Sequence, residues 1–368
     1  MRGIQLISIA LLFSAALLSC NKDDGGNTPA SIPPVYDNTP YQLEFGLLPP
    51  PPIAEDNALT IQGVKLGRML FYENRLSGDN SQNCASCHQQ ENAFTDTAQF
   101  SIGIKGLPGG RHAMAAFNLA WNQNRFFWDG RAELLRHQAV MPIQDELEMD
   151  ESIENVIAKL SADTLYTNQF IRAFDRQEIS EEYIGKALEQ FMNSIVSVNS
   201  KYDNYLKGEV MLSDAEERGR ALYFAEYNPG FPAASGADCA HCHGGLNFEN
   251  DRYMNNGLDS EANQTDIGFQ TVSKTPADKA KFKVTSLRNI AFTAPYMHDG
   301  RFQTLREVID HYDHDLQPSP TLDPALEYTR STGLMLTEQD KDDLIAFLHT
   351  LSDYDLTTDP AYSSPFQP

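Results

Sequence analysis

The chain has 368 residues, 41% of them hydrophobic, with five cysteines and a formal net charge of −23. Such a length and apolar share give room for two domains with real cores, and exclude both a mostly disordered chain and a small disulfide-stapled scaffold. The 51 acidic against 28 basic residues exclude nucleic acid as a partner, because phosphate binding needs a basic face; the acidity reads as a solvated surface, or as a field that steers a basic redox partner.

Residues 1–20 read as a secretory leader: Arg2, then an apolar run from Ile4 to Leu18, then Leu17-Leu18-Ser19-Cys20 at its end. The run is short for a membrane span. Its end resembles the bacterial lipobox, which implies a lipid on Cys20 as the mature N-terminus. Residues 21–52 are rich in Asn, Asp, Gly and Pro and close on the run Pro49 to Pro52, the composition of a flexible tether. Lys22-Asp23-Asp24 resembles a surface-export signal of some lipoproteins. The expectation is an exported protein, lipid-anchored to a bacterial membrane, facing the periplasm or the cell surface.

From residue 53 the chain carries two similar units, 53–205 and 206–356, with a short tail over 357–368. Capping-box pairs mark helix starts at Ser213 with Glu216, Thr304 with Glu307, and Thr337 with Asp340. Ile184, Ala187, Leu188, Phe191, Met192 and Ile195 form a helical apolar stripe. Lys201 to Met211 is the junction. Gly, Asn, Pro and Ala dominate 227–238 and 247–281, so long loops are expected there, of the kind that serve a function or wrap a cofactor. The fold class is mainly α, with two small helical domains.

Four of the cysteines fall into two C-x-x-C-H motifs, Cys84-Ala85-Ser86-Cys87-His88 and Cys239-Ala240-His241-Cys242-His243. Two thiols at this spacing match the vinyl groups of a porphyrin, and the following histidine then lies under the iron. A zinc site, a redox dithiol or a disulfide would account for one such motif. Two, both ending in His, predict two covalent c-type haems with His88 and His243 as proximal ligands, one in each of two cytochrome c-like helical domains. An electron carrier would want both irons closed, whereas a peroxidase needs one open face with an acid–base group above it.

The residues around the motifs are Lys65-Leu66-Gly67-Arg68 before the first, Phe127-Trp128-Asp129-Gly130-Arg131 after it, and Ser286-Leu287-Arg288-Asn289 leading to Thr293-Ala294-Pro295-Tyr296-Met297-His298-Asp299-Gly300. Over about residues 58 to 352 the chain resembles the bacterial di-haem cytochrome c peroxidases and their MauG relatives. The resemblance implies that the first haem is the peroxide site and the second the electron-transfer site. It implies Trp128 between the haems, and Gln138, Pro142 and Glu148 on the distal side of the first, with Glu148 as the acid–base residue. A carboxylate there can move the peroxide proton from the inner to the leaving oxygen. Taken alone, Glu148 is one acid in the run Asp145 to Glu148, and Trp128 would be a core residue.

Two positions depart from the peroxidase pattern. Sixteen residues after His88, where many members place a histidine that closes the first iron, stands Ile104, so that haem is expected to be open at rest; His112 is the competing ligand. Fourteen residues after His298, where peroxidases of the family place methionine and MauG tyrosine, stands Tyr312. It shares a helix face with Leu305, Val308 and Ile309 and is expected to ligate the second iron, with Met297 and His311 as alternatives, His311 on a more polar face. Thr293 and Pro295 match calcium-binding carbonyls, but the asparagine expected after Arg111 is His112, which leaves calcium open. The implied activity is reduction of hydrogen peroxide with electrons from a small cytochrome or other redox protein. A MauG-like oxidation of a partner protein's side chains is the alternative, and a non-catalytic di-haem carrier the third reading. The family is often dimeric, so a homodimer is a further expectation.

Overall fold

A computed structural model describes residues 33–366. The leader, Cys20 and the first part of the tether therefore lie outside the described residues. Eleven α-helices and one two-stranded sheet are present among them: α1 (Ile61–Phe71), α2 (Leu135–Gln144), α3 (Ile153–Ser161), α4 (Thr164–Phe174), α5 (Glu181–Ser194), α6 (Lys201–Leu206), α7 (Asp214–Phe224), β1 (Tyr253–Met254), α8 (Gln270–Ser273), β2 (Phe282–Lys283), α9 (Leu305–His314), α10 (Pro324–Thr332) and α11 (Glu338–His349). The chain is mainly helical, and its helices sort into two halves, each around its own core.

The two halves share one frame. In the first, α1 crosses α5; in the second, α7 crosses α11. A glycine sits at each crossing, where backbones meet too closely for a side chain. A Cβ on Gly67 would lie 1.9 Å from the Ala187 carbonyl oxygen, and one on Gly219 lies equally close to that of Asp343. One turn on, Phe71 packs edge-on against Phe191, and Tyr223 lies tilted against Phe347. The expected capping boxes open α7, α9 and α11, each side-chain oxygen taking up an orphan backbone N–H. The stripe of α5 is buried as its period requires.

The stretch after each haem motif repeats even more closely. Phe126 to Ala132 and Tyr296 to Phe302 form the same turn: Phe126 N–H donates to the Ala132 carbonyl and Tyr296 N–H to that of Phe302. Phe127 and Met297 both take a positive φ, 70° and 75°. Each turn leads into a ten-residue helix, α2 or α9. Position by position, Trp128 stands where His298 does, and Pro142 where Tyr312 does.

Two expectations about the ends need correction. Part of the expected tether, from residue 34 to 52, lies on the folded body. The Pro49 carbonyl accepts from Trp121 Nε1 at 2.7 Å, Leu48 is buried with Trp121 and Val196, and Tyr41 N–H donates to Leu59. Composition alone does not register a proline-rich segment that is held by partners distant in sequence. Likewise the tail from 357 returns to the first half. Arg68 Nε donates to the Ser363 carbonyl at 2.6 Å, Tyr72 Oη to that of Tyr362 at 2.7 Å, and Gln90 Nε2 to Leu356 and Asp359. Leu356 is part of the first core, not the second. No described helix is long and apolar enough to cross a membrane.

Candidate functional site

Each C-x-x-C-H motif sits on one short 3₁₀ turn, Cys84–Ser86 or Cys239–His241, that brings both thiols and the histidine to one cavity. The first cavity, about 550 Å³, is lined by Cys84, Cys87, His88, Gln138, Pro142 and Glu148 among others. The second, about 230 Å³, is lined by Cys239, Cys242, His243, Met297, Tyr312 and neighbours. All four thiols are free, and burial pushes those of Cys84, Cys239 and Cys242 up to about 12. Two thiols and the following histidine on one wall suit covalent attachment of a porphyrin; among the described residues no group of three or more His, Cys, Asp or Glu side chains is placed to hold a metal ion.

Both histidines are oriented by a backbone carbonyl. His88 Nδ1 lies 3.0 Å from the Phe94 carbonyl and His243 Nδ1 3.0 Å from that of Thr285, which fixes the ring and leaves Nε2 free to ligate a metal. Burial holds both imidazoles below their ordinary pKa, His243 at about 4, so the neutral ligating form is present. On the first cavity's wall the side-chain oxygens of Asn83 and Asn122 are buried without a partner. Orphaned polar atoms on a large, mostly apolar wall fit a bound group that carries its own polar edge.

Glu148 stands at the first cavity on the turn that follows α2. The turn is fixed by Met149 N–H donating to the Pro142 carbonyl at 3.2 Å and by Ile104 N–H donating to the Glu148 carbonyl at 2.9 Å. Burial, with Asp145 nearby, raises the Glu148 pKa above its ordinary 4.5. Ser101 and Gly103 line the cavity; Ile104 presents its backbone to Glu148 and brings no ligating atom. His112 is buried with both ring nitrogens engaged, Nδ1 3.1 Å from the Ala98 carbonyl and Nε2 3.3 Å from Thr95 Oγ1. A further role has no local signal in the sequence: the backbone of His112 joins the two equivalent turns. Its carbonyl accepts from Trp128 Nε1 and its N–H donates to the His298 carbonyl, both at 2.8 Å.

Trp128 lines both cavities. Its carbonyl accepts from Lys283 N–H at 2.9 Å, and Arg111 clamps the same turn through Asp129 at 2.7 Å and Asp266 at 2.8 Å. In the second cavity Tyr312 is held with its pKa raised to about 12 by burial. Met297 is on the same wall. His311, expected on a polar face, is buried instead, its Nε2 2.9 Å from the Asn256 carbonyl. That bond turns it away from the cavity it was an alternative for. Thr293 Oγ1 is 3.3 Å from the Ile290 carbonyl; with no carboxylate cluster beside it, a calcium ion at Thr293 and Pro295 would have carbonyls alone.

A family model described as di-haem cytochrome c peroxidase matches residues 61–211. The methylamine utilization protein MauG of Methylorubrum extorquens is 30% identical over 348 residues, covering 94% of each chain. The cytochrome c551 peroxidase of Pseudomonas aeruginosa is 30% identical over 298 residues, covering 79% of each. Among solved structures, a MauG-like protein associated with microbial copper homeostasis superposes with a TM-score of 0.76 at 35% identity, covering 87% of this chain and 97% of that one.

Proposed function

The chain belongs to the di-haem cytochrome c peroxidase and MauG family, a family of peroxide-using oxidoreductases with two haems, and from that premise we propose that it reduces hydrogen peroxide at the first cavity with electrons relayed through the second. The observation that carries the reading is the half-buried Glu148 lining one cavity with Gln138, Pro142 and His88, a histidine whose Nδ1 is already engaged. The haem held there by Cys84, Cys87 and His88 would supply the iron at which the O–O bond is cleaved.

The protein's own part is proton handling and access. Glu148, as carboxylate, takes the proton of the inner peroxide oxygen and returns it to the leaving oxygen, which departs as water. Gln138 offers an amide to orient the peroxide. Pro142 has no atom that can bind iron, so it keeps the face open. The overall balance takes one peroxide, two protons and two electrons to two waters. Trp128, lining both cavities, is the conduit across the junction. Cys239, Cys242 and His243 would hold the second haem, and Tyr312, on the wall of the same cavity, would be a further donor to its iron. A phenolate donor lowers the potential of a haem iron, which favours the second reading, oxidation of side chains on a docked partner protein. A simple carrier has no use for an acid–base group over an open face. Export with a lipid on Cys20, and association as a homodimer, belong to the same proposal.

The test is peroxide added to the isolated diferric protein, followed by EPR. A high-spin ferric signal at rest that is lost on addition is the expected result; an exclusively low-spin protein inert to peroxide overturns the reading. Turnover with reduced cytochrome c then favours the peroxidase, and its absence in a peroxide-reactive protein favours partner-protein oxidation.

A further inference from the structure

The second cavity presents two candidate donor atoms on one wall, and a single amide reaches both. Asn256 Nδ2 lies 3.4 Å from Tyr312 Oη and 3.3 Å from Met297 Sδ. The corner that carries this amide is pinned on every side. Asn255, buried beside it, donates to Ser319 Oγ at 3.0 Å and Thr321 Oγ1 at 2.9 Å and accepts from Gly257 N–H at 2.9 Å. The Asn256 carbonyl receives His311 Nε2, and the Gly257 carbonyl receives Gln317 N–H at 2.8 Å. A donor whose backbone is held this way is preorganised rather than a surface side chain resting in a pocket.

We propose that Asn256 is a positioning residue that selects Tyr312 over Met297 as the axial ligand of the second haem; this rests on the reading of Tyr312 as that ligand. An N–H donated to a phenolate oxygen is a charge-assisted hydrogen bond, whereas a thioether sulfur is a weak acceptor. One donor facing both atoms therefore stabilises tyrosine ligation far more than methionine ligation. Its second N–H holds the thioether at the cavity wall. The first half has no such device and needs none, because Phe127 and Pro142 stand where Met297 and Tyr312 do. Asn256 comes from the long loop between the second haem motif and β2, outside the frame that the halves share. The ligand choice is thus a feature added to the second half alone.

The experiment replaces Asn256 by leucine, which is similar in size and donates nothing, in the haem-loaded protein. Absorption, EPR and resonance Raman spectra read the fraction of phenolate- and thioether-ligated second haem, and a redox titration reads its potential. In Asn256→Leu the phenolate-to-thioether ratio is expected to fall about tenfold, equivalent to about 1.4 kcal/mol, with the potential rising. In Asn256→Leu combined with Met297→Leu the thioether signature is expected to vanish and a high-spin component to replace it. Should Asn256→Leu not load haem, Asn256→Ala makes the same comparison, and Asn256→Ser, which keeps a hydroxyl donor, is expected to recover part of the phenolate fraction. Asn256 variants with the wild-type spectrum and potential overturn the proposal while leaving Tyr312 as the ligand. A wild-type protein with no phenolate signature, unchanged by Tyr312→Phe, overturns the ligand reading itself and the proposal with it.

Discussion

The first and second halves of this protein are built on one frame and differ where iron chemistry would be decided. Both cross a first and a last helix at a glycine, both fix the histidine of the C-x-x-C-H motif through Nδ1 on a carbonyl, and both enter a ten-residue helix through the same turn. On the distal side they part. The first half has Pro142 on α2 and then a turn carrying Glu148; the second has Tyr312 on α9, with Met297 and Asn256 around it. A proline and an acid leave room for a small substrate, and the cavity is the larger one, about 550 against 230 Å³. A phenol and a thioether fill the space. The same scaffold thus carries two different linings, and the difference lies in a few side chains rather than in topology.

That contrast can be broken most sharply at Glu148. Glu148→Gln is expected to slow the reaction of the resting protein with peroxide by about 10²–10⁴-fold, measured by stopped-flow absorption, while the second haem's spectrum is unchanged. The wild-type acid limb should lie above the ordinary carboxylate range, because Glu148 has a raised pKa, and should vanish in the variant. The stability effect runs the other way. A carboxyl whose folded pKa is raised adds stability that is complete below its unfolded pKa and is lost as pH rises through the folded one. Glu148→Gln should therefore melt no lower than the wild type at neutral pH.

The shared frame is tested by matched substitutions, Gly67→Ala and Gly219→Ala. Each forces a methyl into a carbonyl 1.9 Å away and should cost about 1–3 kcal/mol or more by calorimetry, as overpacking does, with haem loss in the half that carries it. A marked inequality between the two would show that the crossings are not equivalent. Trp128→Phe, which removes the bond to the His112 carbonyl, should cost about 1 kcal/mol and slow electron exchange between the halves without altering either haem's resting spectrum.

The smallest effect lies at the junction. Burial raises Glu249 to about 7, although Asn247 donates to it at 2.6 Å, and Asn247 in turn accepts from Asn118 of the first half at 2.9 Å. Its contribution to stability is full below the ordinary carboxylate pKa and is lost as pH rises through about 7. Chemical denaturation across that range should show a declining stability that Glu249→Gln flattens; an unchanged slope would place the pH dependence elsewhere.

The helices and both haem motifs were legible because their signals are local: capping pairs, a helical stripe, two thiols and a histidine at fixed spacing. Tyr312 could be placed on the inner face of α9 for the same reason. His311 could not be placed correctly, since its burial depends on a carbonyl from a loop more than fifty residues away. The packed stretch at 34–52 and the returning tail escaped notice because their partners, Trp121, Arg68 and Gln90, are distant in the chain. The match between 126–142 and 296–312 was present in the letters but too sparse to stand out until the two turns were seen to share backbone geometry.

By itself the sequence determined what the chain can attach and where its helices begin, since covalent spacing and capping involve neighbours in the chain. The tertiary structure alone decided which side chains share a cavity and which bridge the halves. Trp128 between the cavities, the His112 backbone between the turns, and Asn256 between two rival donors are meetings of remote segments. No local preference encodes such meetings, because they exist only once both cores have formed around the crossings at Gly67 and Gly219.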